Sequence, residues 1–240
     1  MNRYLAVGMA VLVGIGLVVT WKATFANPLA GATHPWEEAQ AVLTATEADI
    51  QTGGGIMPVR AHVRDLEQVL ADARADSRPW SAGKSVAAAS DSYRRVSFYL
   101  GSYYDEIGKP AEAVRVLDAG LALPAVKGEI GEREPFLITE RGAALNALRR
   151  FPEALANDEA GLKIEDLEDQ YRARLLRGRG FALLQLGRLD DGEASYRDSL
   201  KIDPDNPVAL RELQYVASLR AGGPAKGVLL VMPNAPMPTK

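Results

Sequence analysis

Between Arg94 and Asn206 the chain repeats one pattern three times, and that recurrence limits what it can fold into. The first copy runs Leu100-Gly101-Ser102-Tyr103-Tyr104, breaks at Gly108, and resumes with Ala111-Glu112-Ala113-Val114. The second runs Arg141-Gly142-Ala143-Ala144-Leu145, breaks at Arg149, and resumes with Pro152-Glu153-Ala154-Leu155. The third runs Arg179-Gly180-Phe181-Ala182-Leu183, breaks at Gly187, and resumes with Asp191-Gly192-Glu193-Ala194. Each copy describes a helix, a tight turn, a second helix and a polar exit. A self-similar helix pair cannot bury its apolar face alone. Stacked on its neighbours it can, and three copies are the expected minimum for a stable array.

The residue types fit that physics. Gly101, Gly142 and Gly180 fall midway along each first helix. Glycine there costs about 1 kcal/mol relative to alanine, which implies that a neighbouring helix backbone approaches closely. Gly108 and Gly187 suit left-handed helix ends. Arg149 replaces glycine in the second copy, a departure that weakens the expected turn. Pro110 and Pro152 stand where second helices begin, where a missing N–H does no harm. Ala113 and Ala154 are small crossing contacts, with Gly192 in their place in the third copy. Asn206 and Pro207 then form an N-cap and first-turn proline for one further helix.

These motifs, together with the exit Asp203-Pro204-Asp205-Asn206, resemble the tetratricopeptide repeat, a helix–turn–helix unit of about 34 residues. Equivalent positions lie 41 and then 38 residues apart, so the connectors Lys127–Glu134 and Glu165–Gln170 carry extra residues. The resemblance covers about half the chain. It implies an all-α, right-handed α-solenoid of antiparallel helix pairs. The repeats are expected at 94–127, 135–168 and 173–206, within a 91–220 domain closed by a capping helix at 207–220.

Ahead of the repeats, 27–90 reads as an N-terminal helical hairpin and linker. Trp36 to Gln51 has apolar or small residues at helical spacing. Gly53-Gly54-Gly55 ends that helix and Pro58 can open the next, where Val59, Val63, Leu66, Leu70 and Ala73 share a face. From Lys84 a helix is expected to run unbroken to Ile107. Residues 221–240 are rich in Pro and Gly and read as a disordered tail. Its short apolar run, Val228 to Met232, is either a segment packing on the last helix or a tethered peptide for a groove.

Residues 1–26 do not belong to the fold. Arg3 precedes an apolar run from Leu5 to Val19, and Thr24-Phe25-Ala26 offers small residues for cleavage. This pattern reads as a secretory signal peptide. The alternative is an uncleaved anchor, since Leu5 to Trp21 spans 17 residues, the lower limit for crossing a bilayer. Either way the remainder is expected outside the cytoplasm, periplasmic or secreted or anchored facing the periplasm. No cysteine is present for lipid attachment or disulfides. Without residues 1–26 the chain keeps 26 basic against 31 acidic residues, which gives no basic excess for nucleic acid.

No motif argues for catalysis. His34 with Glu37 and Glu38, and His62 with Asp65, pair histidine and carboxylate near a helical hairpin, yet ordinary first-turn and surface residues explain them better than a metal site. Ser81-Ala82-Gly83-Lys84-Ser85 resembles the end of a phosphate loop, but Arg78 stands where that loop needs glycine. No enzyme, cofactor or metal is expected.

In the family that the repeats resemble, first helices line a concave face that binds peptides. Carried over position by position, the resemblance implies Arg95, Phe98, Ser102 and Asp105 in the first repeat. It implies Thr139, Ala143 and Asn146 in the second, and Arg174, Arg177, Phe181 and Gln185 in the third. A subset of the family grips a terminal carboxylate with paired asparagines. Here those positions hold Ser102 and Glu140, so no such clamp is expected. Phe98 and Phe181 are candidate apolar anchors, and Arg174 with Arg177 a positive end for an acidic or phosphorylated partner. The basic run Arg172, Arg174, Arg177 and Arg179 can instead pair with Glu165, Asp166, Glu168 and Asp169. The expectation is a scaffold for an unidentified protein or peptide partner, with membrane contact only through residues 5–21 if they are retained.

Overall fold

The computed structural model describes residues 35–75, 86–123 and 134–222. The proposed signal segment, His34, the Ser81–Ser85 loop, most of the first connector and the tail beyond Gly222 lie outside the described residues. Everything described is helix or turn. The helices are α1 (Pro35–Gly53), α2 (Val63–Ala75), α3 (Val86–Glu106), α4 (Pro110–Leu121), α5 (Glu134–Ala147), α6 (Phe151–Gly161), α7 (Asp169–Gln185), α8 (Leu189–Ile202) and α9 (Pro207–Arg220). Pro58 opens a short 3₁₀ turn, Met57–Ala61, and α2 begins only after it.

Each repeat is a helix pair, α3/α4, α5/α6 and α7/α8. Each second helix also packs on the next first helix, and α3, α5 and α7 lie side by side. The α1/α2 hairpin packs against α3 in the same manner, so a fourth pair precedes the three legible in the sequence. Their apolar faces share one core: Val42, Leu43 and Leu66 from the hairpin merge with Val96, Leu100, Val116, Leu117, Leu137 and Leu145. A second cluster, Phe181, Leu184, Tyr196, Ala209 and Val216, glues α9 to the last pair.

The three mid-helix glycines explain how each pair closes. A Cβ on Gly101 would lie 2.6 Å from Leu117, one on Gly142 would collide with Asp158, and one on Gly180 would lie 2.9 Å from the Tyr196 ring. Leu117, Asp158 and Tyr196 are equivalent positions of the second helices. The expected backbone approach is thus corrected: a side chain occupies each hollow. Only at Gly180 does a backbone atom also come near, Gly192 O at 3.2 Å from the added Cβ. Gly192 matters for that reason, because any side chain there would meet Leu184 and the Gly180 carbonyl.

The turns hold across a change of residue. Gly108 and Gly187 have φ of 70° and 78°, and Arg149 adopts φ 59° at the matching place. In all three the residue after it donates its N–H back to a carbonyl of the first helix: Lys109 to Tyr104, Arg150 to Leu145 and Arg188 to Leu183. The second repeat therefore accepts left-handed strain on a non-glycine residue, a cost of order 1 kcal/mol, and keeps the same turn. The longer connector before α7 is also used: Leu167 is buried with Ile138 and Leu175 in a small satellite core.

Helix α9 closes the stack. Asn206 Oδ1 accepts the Val208 and Ala209 N–H groups at 3.2 and 3.1 Å, the expected N-cap. At the other end Arg220 reaches the Asp190 carboxylate and lies 2.6 Å from Glu193, both on α8. Between them Glu212 is 2% exposed. Burial pushes its carboxyl from 4.5 to about 7, an effect that Arg211 partly offsets. The fold thus favours the neutral acid. Its contribution is complete below about pH 4.5 and is lost as pH rises through about 7.

Two outcomes follow for stability. Gly180→Leu should lose about 1–3 kcal/mol by overpacking against Tyr196 and the Gly192 carbonyl, read from urea unfolding. Glu212→Gln should gain roughly 2–3 kcal/mol over the parent on moving from pH 4.5 to pH 8. Parallel urea titrations at both pH values measure this. A constant difference between parent and variant would rule out ionisation of Glu212 as the cause.

Candidate functional site

The side of the array where first helices meet carries a set of polar and aromatic cross-contacts. On α1, Glu47 forms an ion pair with Arg95 and accepts the Tyr99 hydroxyl at 3.0 Å. From α3 onward the contacts form two rows. One is aromatic: Phe98 meets Phe136 edge-on with ring centroids 4.8 Å apart, and Phe136 is 6.2 Å from Tyr171. It links α3, α5 and α7. The other row is charged: Glu140 on α5 pairs with Arg174 on α7 at 2.5 Å, and Asp105 on α3 faces both.

Asp105 is half-buried. Desolvation, then the neighbouring Glu140 and Glu106 carboxylates, push its carboxyl up from 3.8 to about 6, while Arg174 pulls it down. Among the described residues its carboxylate has no hydrogen-bond or ion-pair partner. Arg174 therefore pairs with Glu140 and leaves the Asp105 carboxylate unpaired, and Glu106 adds a third negative group beside them. The unbalanced charge of this face is negative.

The structure divides the eleven positions implied by the repeat pattern. Arg95, Phe98, Ser102, Asp105, Arg174 and Gln185 are half-exposed. Thr139, Ala143, Asn146, Arg177 and Phe181 are buried, which corrects their assignment as partner contacts. The reasons are local. The Thr139 hydroxyl donates to Phe136 O, and Asn146 Nδ2 donates to Gly178 O on α7 at 3.4 Å. Phe181 packs against Phe151 and the α9 cluster. Arg177 lies 3.5 Å from Asp203 in the turn before α9, and burial lowers its guanidinium pKa.

The expected positive end is also corrected. Arg174 is neutralised by Glu140, and Arg177 is buried beside Asp203. Arg179 donates to Ser195 Oγ and approaches Glu159 at 3.5 Å. None of these four contacts is to Glu165, Asp166, Glu168 or Asp169. Phe136, Glu140 and Tyr171 emerge as members of the inner face. Their signal was present: Phe136 and Tyr171 are each the third residue of a first helix, one turn ahead of an implied position.

The histidine motifs separate. His62 Nε2 lies 2.8 Å from Asp49 Oδ2, which ties the 3₁₀ turn to α1. Among the described residues no group of three or more His, Cys, Asp or Glu side chains is placed to hold a metal ion.

No known family model matches the chain, and no curated protein matches it. Solved structures do, among them these two. The first tetratricopeptide domain of human RPAP3 is 24% identical, with 54% of this chain and 94% of that domain covered and a TM-score of 0.46. A MamA RS-1 double mutant is 16% identical over 77% of this chain and 85% of that one, with a TM-score of 0.53. The second likeness, taken with the helix pairs described above, supports a fold of the tetratricopeptide-repeat type.

The charge geometry predicts a measurable titration. The Asp105 carboxyl should titrate near pH 6 by carbon NMR, lower in Glu140→Gln and higher in Arg174→Met. Midpoints unmoved by either substitution would place Asp105 away from that pair.

Proposed function

We propose that this chain is an exported scaffold of the tetratricopeptide type that holds a protein or peptide partner along the joined inner sides of α3, α5 and α7, with the pairs arranged as a right-handed α-solenoid. The observation that carries the reading is the aromatic row. Phe98, Phe136 and Tyr171 come from three successive repeats, and all stay half-exposed although each has partners in the fold. Aromatic and arginine side chains flanked by water-excluding neighbours are the residue types that anchor interfaces. A continuous surface of this kind suits an extended or helical segment better than a small molecule.

Export rests on the sequence: Arg3, the apolar run Leu5 to Val19, and the small residues around Thr24 and Ala26. A role in envelope assembly or transport accords with such a location. A membrane-anchored, self-assembling component is the second reading. It depends on retention of residues 5–21, outside the described residues; among those described, no helix is long and apolar enough to cross a membrane.

Two measurements test these readings. A photo-crosslinking amino acid at Phe98 or Ser102 should capture a partner in cells, whereas the same group at Arg115 or Lys201, on exposed second-helix positions, should not. Capture from the second-helix positions alone would refute binding at the inner face. Mass spectrometry of the chain recovered from its native compartment should show a new N-terminus at Asn27; an intact Met1 would favour the anchor.

A further inference from the structure

We infer that the partner segment bound by this inner face carries a lysine or arginine next to an apolar side chain, the cation lying between Asp105 and Glu140 and the apolar group on the Phe98–Phe136 row. This deepens the proposed function and rests on it. The sequence alone suggests the opposite sign, an acidic or phosphorylated partner drawn to Arg174 and Arg177. The structure removes both arginines from contention. Glu140 neutralises Arg174 at 2.5 Å, and Arg177 is buried beside Asp203. A phosphate or carboxylate arriving at α3 and α5 would meet the carboxylates of Asp105, Glu106 and Glu140.

Charge complementarity therefore selects the partner. Arg95, the other cation of this face, is held by Glu47. Asp105 is the one formal charge of the pattern-implied positions whose carboxylate has no hydrogen-bond or ion-pair partner among the described residues. It is half-buried, so a cation reaching it is partly desolvated and screened less than at an open surface. A guanidinium or ammonium there would join two carboxylates that now repel across α3 and α5. The geometry also sets the spacing. Phe98 lies two helical turns before Asp105 on the same side of α3, about 10 Å along the axis. An extended segment covers that distance in roughly three residues. The recognition unit is therefore an apolar residue and a basic residue about three positions apart.

The test uses the full-length protein and a phage-displayed library of random short peptides. Enriched sequences should pair a basic residue with an apolar one at that separation. Asp105→Lys should weaken a selected peptide about tenfold, and raised salt should weaken the parent's binding. Asp105→Asn is the control for folding, since it removes an unfavourable charge and should leave helicity intact and thermal unfolding no lower than the parent's. Enrichment of acidic sequences would overturn the charge assignment while leaving peptide binding in place. No enrichment at all, with crosslinking from the inner face also failing, would overturn both readings. Self-association of the full chain abolished by Asp105→Lys would make a second copy the occupant, and would likewise overturn this inference.

Discussion

One contact type organises the described fold: a second-helix side chain seated on a first-helix glycine. Leu117 rests on Gly101, Asp158 on Gly142 and Tyr196 on Gly180. The glycine cost in helix propensity, about 1 kcal/mol each, is repaid by letting two helices close to a distance at which a branched, charged or aromatic side chain fits without a void. The hollow stays constant while its occupant changes, and the occupant sets local chemistry. Leucine makes the first pair part of the main core. Asp158 makes the second pair polar: burial drives its carboxyl well above the carboxylate range, it accepts from Asn157 at 3.0 Å, and a Cβ on Gly178 would also strike it. One side chain thereby touches both its own repeat and the next, which explains why Gly178 as well as Gly142 must be bare.

Close helix packing at those hollows determines which inner-face positions are left to solvent. Helix α5 has α3 and α7 at its flanks and α4 and α6 behind, so Thr139, Ala143 and Asn146 are consumed in seams. Half-exposed side chains survive toward helix ends: the aromatic residues near the starts of α5 and α7, and Asp105 at the end of α3. Those aromatics interlock with their neighbours across helices and keep one edge outward. Such a row is rigid before binding, so little rotamer freedom would be lost on contact. The charged row is different. The Glu140–Arg174 pair is satisfied, whereas Asp105 carries its charge against desolvation and against two like charges. That is an unfavourable element of the isolated protein, and a counter-charge would relieve it.

Much of the architecture was legible because it depends on local rules. The glycine positions, the Asn206 cap, the proline starts and the unbroken helix ending near Ile107 each follow from backbone chemistry of a few residues. What escaped was tertiary. A sequence cannot distinguish a backbone from a side chain as the filler of a glycine hollow, since both require the missing Cβ. Nor can it show that Arg149 adopts the left-handed turn of Gly108, because the arginine is held there by the return hydrogen bond from Arg150 to Leu145. The inner face suffered most. Transferring groove positions by register treats each first helix as equally exposed, yet Arg177 is buried beside Asp203, a residue 26 positions later in the turn between α8 and α9.

The docking of α9 brings a second consequence. A repeat array must end, and its last apolar face would otherwise be open to further copies. Here α9 covers Phe181, Leu184 and Tyr196 with Ala209 and Val216, while Arg220 grips α8 from outside. Yet the interface also contains Glu212, with one oxygen buried and unpartnered, close enough to raise the Tyr196 phenol further. A leucine there would stabilise the cap more simply. An acid instead makes the cap weaker where the carboxylate ionises. Local opening free energies in a repeat array add along the chain from such ends. The inner face at α3 is separated from that end by the α5/α6 and α7/α8 pairs, and at α5 by α7/α8 alone. Phe98 and Asp105 therefore stand farther from the cap than Tyr171 and Arg174 on α7, the pair on which α9 docks.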